Sequence, residues 1–268
     1  MTQSDFISLM PGQYLAPKCH RFDYNKIQVC LTEYPHYQKT GDWHHHKNAM
    51  VSFVMQGGNV ESRWQTHLER LPGSLNFYHA GEPHQNIYKV FPSKHLSLEV
   101  DQSFLDDHCL TEVRLASAMI NNPKSKFILL NILNEAIQHD RYTDSVIQSL
   151  FLSIVQPLQT LSKAPPNWLK QVKSLLENQW SEWPSLAQLS DSVNVHPVTI
   201  SSLFNHYYHV TISDFLRILK VEHAIQMIQN CEKPLTEIAL ECGFSDQSHF
   251  TRVFKSKTGF LPARYRRV

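Results

Sequence analysis

Between residues 20 and 100 the apolar positions come in short runs separated by turn residues. The runs at 50–55 (MVSFVM), 74–78 (SLNFY) and 95–100 (HLSLEV) are bounded by GGN at 57–59, PGS at 72–74 and AGEP at 80–83. Apolar runs of this length with Gly and Pro between them predict strands. Several of them at close spacing predict an antiparallel sandwich or barrel. From about residue 104 the period changes. Phe127, Leu130, Leu133 and Ile137 fall three or four apart, and so do Ile147, Leu150, Phe151, Ile154, Leu158 and Leu161. That spacing predicts helices as far as about residue 161. The second stripe is wide enough to pack on the sheet, on its neighbour helix or on a second subunit. Residues 163–167 (KAPPN) then stop the pattern, because two adjacent prolines cannot continue a helix, and a domain boundary is expected there. The remainder of the chain reads as short helices. Ser185 with Gln188 predicts a capping box ahead of residues 186–193, and an amphipathic stretch at 213–230 ends before Pro234.

Residues 234–267 carry the most specific pattern. Leu235, Ile238 and Ala239 give a short helix its apolar face, and Gly243 is placed to end it in a left-handed cap. Phe244 comes next as an anchor, and Ser245 is expected to cap the next helix. In that helix Phe250, Val253 and Phe254 fall on the inner face. Gln247, Ser248, His249, Thr251, Arg252 and Lys255 fall on the outer faces, and Gly259 stops it. Helix, glycine turn, helix is the order of a helix-turn-helix. The outer side chains are of types that hydrogen-bond base edges in a major groove. From Arg252 onward there are six basic residues (Arg252, Lys255, Lys257, Arg264, Arg266, Arg267) and no acidic one, a cluster able to meet phosphates. Composition alone equally fits a solvated helix face with a basic tail. Spacing favours the first reading. Residues 186–210 slide onto 235–260 with one extra residue in the second copy, so that Leu189 meets Ile238, Val195 meets Phe244, Ile200 meets Phe250 and Phe204 meets Phe254. Two such units on a rigid connector would enter successive major grooves about 34 Å apart.

At this point residues 168–268 resemble the DNA-binding domain of the AraC/XylS transcription regulators, most closely over 238–266 (IALECGFSDQSHFTRVFKSKTGFLPARYR). The resemblance implies a seven-helix domain whose recognition helices begin near Pro197 and Asp246. It places Pro197, Thr199, Ser201 and Ser202 in the first unit, and Asp246, Gln247, Ser248, His249, Thr251, Arg252 and Lys255 in the second, against DNA. The first unit departs from the pattern: Ser202 stands where the family has a basic residue, and His209 where it has glycine. No Lys or Arg lies between Ser185 and His209. His196, His206 and His209 are mostly neutral near pH 7. The second unit is therefore expected to carry most of the phosphate contacts.

The amino-terminal half is marked by residues 41–58 (GDWHHHKNAMVSFVMQGG) and 72–86 (PGSLNFYHAGEPHQN). Strand alternation puts His44 and His46 on one face and His45 on the other. With His84, three imidazoles could converge as a metal site. These stretches resemble the two motifs of a cupin barrel, matched by His44, His46 and Gly57 and then by Gly73, Gly81 and His84, with His79 at the usual proline. The motif's glutamate is missing, since residues 47–52 (KNAMVS) hold no carboxylate. Three readings of the histidines stay open: the polar lining of a small-molecule pocket, hydrogen-bonded core residues, or a metal site on His44, His46 and His84. Trp43, Phe53, Phe77 and Tyr78 are candidates for apolar walls. The ligand-binding set expected is Trp43, His44, His46, Phe77, His79 and His84. Barrels of this kind fused to AraC-type domains sense small organic ligands, so an effector is implied and no cofactor is required.

Totals narrow the picture further. A net charge of +1 argues against a protein that coats nucleic acid along its whole surface. Five scattered cysteines (Cys19, Cys30, Cys109, Cys231, Cys242) with no CxxC suit reduced thiols. The first residues lack a basic start and a long apolar run, so no signal peptide is expected, and no stretch approaches the ~20 apolar residues of a membrane helix. The expected architecture is a multi-domain β-then-α chain: a cupin-like barrel at 1–103, linking or dimerisation helices at 104–162, and a double helix-turn-helix domain at 163–268. The expected function is a cytoplasmic, ligand-responsive regulator that binds promoter DNA. Homodimerisation through 143–161, contact with RNA polymerase and activation are further expectations. The rivals are a metal-dependent cupin enzyme fused to a DNA-binding domain, and a constitutive DNA binder with a structural barrel.

Overall fold

The computed structural model describes residues 6–36, 41–64, 66–155, 164–180 and 184–268. The first part is β-structure: β1 (Ile7–Leu9), β2 (Lys18–Tyr24), β3 (Ile27–Tyr34), β4 (His44–His46), β5 (Ala49–Arg63), β6 (Thr66–Arg70), β7 (Leu75–Tyr78) and β8 (Gln85–Val100). Six strands form one antiparallel sheet in the order β2-β3-β8-β5-β6, with β7 also on β5, while β1 and β4 make a separate parallel pair. The sheet curls on itself, for β3, β4, β5, β6, β7 and β8 all send side chains into one internal cavity.

Alternation decides which residues go there. On β5, Met50, Ser52 and Val54 face the cavity, whereas Val51, Phe53 and Met55 join the apolar core. Beyond residue 55 the parity switches, and Asn59 and Glu61 face inward. The switch lies at the register shifts between Val54 and Asn59. An extra residue in one strand reverses every later side chain. Gly57 and Gly58, at φ +72° and +142°, make the irregularity feasible; a Cβ on Gly57 would lie 2.6 Å from the Pro92 carbonyl oxygen.

The core face of the sheet joins one cluster with the next four helices, α1 (Gln102–Asp107), α2 (Glu112–Asn121), α3 (Ser125–Gln138) and α4 (Thr143–Val155). On α4, Ile147, Phe151, Ile154 and Val155 are buried within the chain. The apolar stripe expected at a subunit contact is thus consumed internally as far as it is described; Leu158, Leu161 and Lys163 lie outside the described residues. Cys19 and Cys30 are joined as a disulfide across β2 and β3, a departure from the expectation of reduced thiols throughout, while Cys109, Cys231 and Cys242 are free.

Seven helices are described after residue 164: α5 (Asn167–Asn178), α6 (Leu186–Val193), α7 (Pro197–Tyr208), α8 (Ile212–Asn230), α9 (Leu235–Glu241), α10 (Gln247–Thr258) and α11 (Pro262–Tyr265). They dock onto the first part directly. Gln56 on β5 donates to the Gln229 carbonyl at the end of α8, and Asn131 on α3 donates to the Lys257 carbonyl in the last turn of α10 at 2.7 Å. Lys126 pairs with Glu222 at 2.9 Å, and Lys94 of β8 donates to the Val268 carbonyl at 2.6 Å. Among the described residues no helix is long and apolar enough to cross a membrane.

Candidate functional site

The repeat read in the sequence is a repeat in space. Helices α6 and α7 correspond to α9 and α10, and each pair is closed by left-handed residues: Asn194 and His209 in the first unit, Gly243 and Gly259 in the second. The matched apolar positions are buried in both copies: Leu189 and Ile238, Ile200 and Phe250, Phe204 and Phe254. Val195 is half-buried where Phe244 is buried. The capping box of Ser185 and Gln188 forms. The extra residue of the second copy is in its turn, and there the cap differs from expectation. Asp246, not Ser245, caps α10, its carboxylate accepting the His249 backbone N–H at 2.7 Å. A carboxylate is favoured at that end because the unpaired N–H groups and helix dipole are positive there. The Ser245 hydroxyl instead donates to the Asp246 carboxylate.

All eleven residues expected against DNA are exposed or half-buried. In the first unit, Thr199 and Ser202 are exposed, and Pro197 and Ser201 are half-buried. In the second, Asp246, Gln247, Ser248, Arg252 and Lys255 are exposed, and His249 and Thr251 are half-buried. Three of these also make contacts within the protein. Besides the Asp246 cap, Gln247 accepts from the Thr236 hydroxyl at 2.5 Å, and Nδ1 of His249 lies 3.1 Å from the Ser245 hydroxyl. The basic cluster is smaller than its sequence count. Lys257 is paired with Asp214 at 2.5 Å, and Arg266 donates to the Lys233 carbonyl. Arg252, Lys255, Arg264 and Arg267 remain at the surface and form no ion pair among the described residues.

Inside the curled sheet, a cavity of about 50 Å³ is lined by His44, His46 and His84 with Tyr34, Tyr78, Tyr88, Asn59, Glu61, Arg70 and His95 among others. His44 and His46 face it from β4, and His45 turns to the other side, half-buried. Three expected ligand contacts are elsewhere. Trp43 packs outside with Phe6 and Trp64. Phe77 is in the apolar core, on the opposite face of β7 from Tyr78. His79 is held 2.8 Å from Glu112 at the start of α2. The carboxylates missing from the histidine motif arrive from distant strands. Glu61 of β5, 1% exposed, accepts from Arg63, Asn76 and Tyr78, with Arg70 at 3.3 Å. Glu99 of β8, also 1% exposed, stands 3.4 Å from Nδ1 of His46. The one hint in the sequence was a charge inside an apolar run, the Glu of HLSLEV.

Burial governs ionisation here. It pushes His44 down to about 4, His84 to about 2 and His95 to about 3, with neighbouring histidines adding to the first two and Arg70 to the third. Burial raises Tyr34 to about 12, and raises Tyr78 with the help of the Glu61 charge. The cavity is thus a polar chamber in which His44, His84 and His95 are held neutral beside buried phenols and the Glu61–Arg63–Arg70 network. It has the volume of one or two waters, far below the ~300–1,000 Å³ of organic-ligand sites.

Room of that order exists at the junction of the two parts. A cavity of about 720 Å³ is bounded by the β6–β7 turn (Leu71, Pro72), by Met119 and Ile120 of α2, and by Tyr208, Phe215 and Leu219 of the carboxyl-terminal helices. No motif announced it, since its walls come from four separate stretches, at 69–75, 119–126, 165–177 and 207–226.

A family described as a helix-turn-helix domain matches residues 189–268. Over 219 residues the chain is 23% identical to the HTH-type transcriptional activator RhaR of Escherichia coli, covering 73% of this chain and 76% of that one. It is 26% identical over 189 residues to an HTH-type transcriptional regulator of Staphylococcus aureus, covering 67% of this chain and 25% of the other. Among solved structures, the C-terminal domain of AraT from Geobacillus stearothermophilus is 24% identical and covers 39% of this chain and 88% of its own, with a TM-score of 0.37. ToxT of Vibrio cholerae is 11% identical and covers 90% of this chain and 98% of its own, also at 0.37.

Proposed function

We propose that the chain is a DNA-binding transcription regulator of the AraC type that grips promoter DNA mainly through α10 and reads a second block with α7, a reading supported by the helix-turn-helix match over 189–268. The observation that carries this is the repeat itself: two units with matched buried positions, the second bearing an exposed basic face and the first bearing none. Arg252 and Lys255 meet phosphate or base edges, and Thr199, Ser201 and Ser202 read bases without holding the backbone. Selection of bound sequences from random duplexes tests it. Two short blocks about one turn apart support both units as readers; a single block assigns all reading to one unit.

The effector reading shifts with the structure. The histidine chamber is too small for an organic effector, so the effector site is assigned to the junction cavity, whose walls belong to both parts. A molecule there binds differently to two arrangements of the sheet and the DNA-binding helices, and that difference is what moves a population. Direct contacts of β5 with α8 and of α3 with α10 favour a coupled sensor over a purely structural barrel. We read the chain as a regulator rather than an enzyme, because the chamber has no room for a substrate beside an ion. The division at 1–103, 104–162 and 163–268, a cytoplasmic location, activation through RNA polymerase and homodimerisation complete the reading. The RhaR relative is named an activator, which supports activation. With the described stripe of α4 buried, a dimer rests on other surfaces, and light scattering at high concentration tests it.

A further inference from the structure

The sheet has two ends. In the strand order β2-β3-β8-β5-β6, neither β2 nor β6 has a second strand partner among the described residues. An end strand presents unpaired N–H and C=O groups, and proteins blunt such edges with charges or proline. β2 is blunted: Lys18, Arg21 and Asp23 are exposed along it, and Arg21 pairs with Asp23 at 3.0 Å. β6 holds no lysine and no proline, and Thr66, His67, Leu68 and Glu69 are all exposed. Leu68 is 51% exposed, and Trp64 and Leu71, to either side of the strand, are exposed too. Large apolar side chains gathered in water along a free edge mark a place of association.

Backbone parity gives what this edge offers. Only two residues separate Arg63 of β5 from Thr66 of β6, so this closing pair of the hairpin is a hydrogen-bonded one. Bonded and unbonded pairs alternate along an antiparallel ladder. Leu68 and Arg70 therefore also bond toward β5, opposite Glu61 and Asn59, while His67 and Glu69 turn their N–H and C=O groups outward. A second β6 laid antiparallel on this edge, with Leu68 on the two-fold axis, sets His67 opposite the partner's Glu69. That pair exchanges two backbone bonds, and the symmetry repeats them. The same pair puts an imidazole against a carboxylate. Leu68 meets the partner's Leu68 in the unbonded position, where facing side chains lie closest.

We propose that the chain associates with a second copy through β6, joining two six-stranded sheets into one. This rests on the homodimer reading above and names its contact. The described stripe of α4 is spent within the chain, whereas β6 is complementary to itself in backbone, charge and apolar surface. The contact is short, so the dimer is expected to depend on concentration rather than to be permanent.

Light scattering and sedimentation of the full chain over a concentration series test it. Leu68→Lys places two cations on the axis and should weaken association by roughly 10-fold or more. His67→Glu sets carboxylate against carboxylate and should act likewise. Neither residue lines the junction cavity, so an effector there is not disturbed directly. The double variant His67→Glu with Glu69→Lys restores an opposite pair and should recover association. Lys18→Glu, on the other edge, should leave it unchanged. Circular dichroism and melting temperature confirm that each variant is folded. A parent chain that stays monomeric at every concentration overturns the homodimer and this contact together. A dimer that survives both Leu68→Lys and His67→Glu overturns the β6 contact alone, and so does a folded double variant that stays as weak as His67→Glu.

Discussion

Removing the Arg252 side chain is the sharpest test of how the two units divide their work. Arg252 is exposed on α10, forms no ion pair among the described residues, and is one of four cations the second unit has available, since Lys257 and Arg266 are engaged within the protein. Each phosphate neutralised contributes about 0.9 to the salt slope, so four contacts give a slope near −3.6 and loss of one leaves about −2.7. Between 50 and 200 mM salt the parent then loses roughly 150-fold in affinity from this unit, and Arg252→Ala roughly 40-fold. If Arg252 lies against a guanine edge, the substitution also costs about 1–3 kcal/mol and relaxes discrimination at one base position. Ser202→Ala, on the exposed face of α7, removes one neutral hydroxyl and should cost about 1 kcal/mol or less with the slope unchanged. Anisotropy titrations on the selected duplex at four salt concentrations measure both quantities. Equal losses for the two variants, or an unaltered slope for Arg252→Ala, would refute the asymmetric assignment.

Three further outcomes rest on burial and backbone geometry. His95 is 6% exposed and its burial lowers its pKa to about 3 against about 6.5 unfolded; protonation therefore favours the unfolded chain as pH falls through 6.5. Stability fully present above pH 6.5 should decline by about 2 kcal/mol at pH 5, and this component should vanish in His95→Gln when denaturant midpoints are compared at pH 7.5 and 5. His209 closes α7 at φ +55° with its Nε2 buried and unpaired, so His209→Gly should stabilise by about 1 kcal/mol and raise the melting temperature by a few degrees. Gly57→Ala meets backbone atoms of residues 90, 92 and 93 at 2.6–2.8 Å and should cost about 2 kcal/mol or more, with a lower thermal midpoint.

Features that depend on near neighbours were legible in the chain alone. The strands at 50–55, 75–78 and 95–100, the left-handed stops at Gly243 and Gly259, the capping box at Ser185 and the doubled helix-turn-helix all arise from periods and turn residues that act over a few positions, although the turn expected at 57–59 is instead an irregularity inside the continuous strand β5. The alternation that puts His44 and His46 together and His45 apart is of the same kind. Folding settled everything that required distant segments to meet. It brought Glu61 to the chamber and Glu99 against His46, although neither belongs to the histidine motifs. It placed the parity switch on β5, which selects Asn59 and Glu61 and carries no periodic signal. It turned Phe77, Trp43 and His79 away, buried the stripe of α4, bridged Cys19 to Cys30 and engaged within the protein two of the six cations proposed to face DNA. The reason is physical: a local pattern fixes which side of a strand or helix a residue occupies, but what that side faces depends on how the elements pack. Charges are legible by count, yet their availability is settled only by the partners that folding supplies.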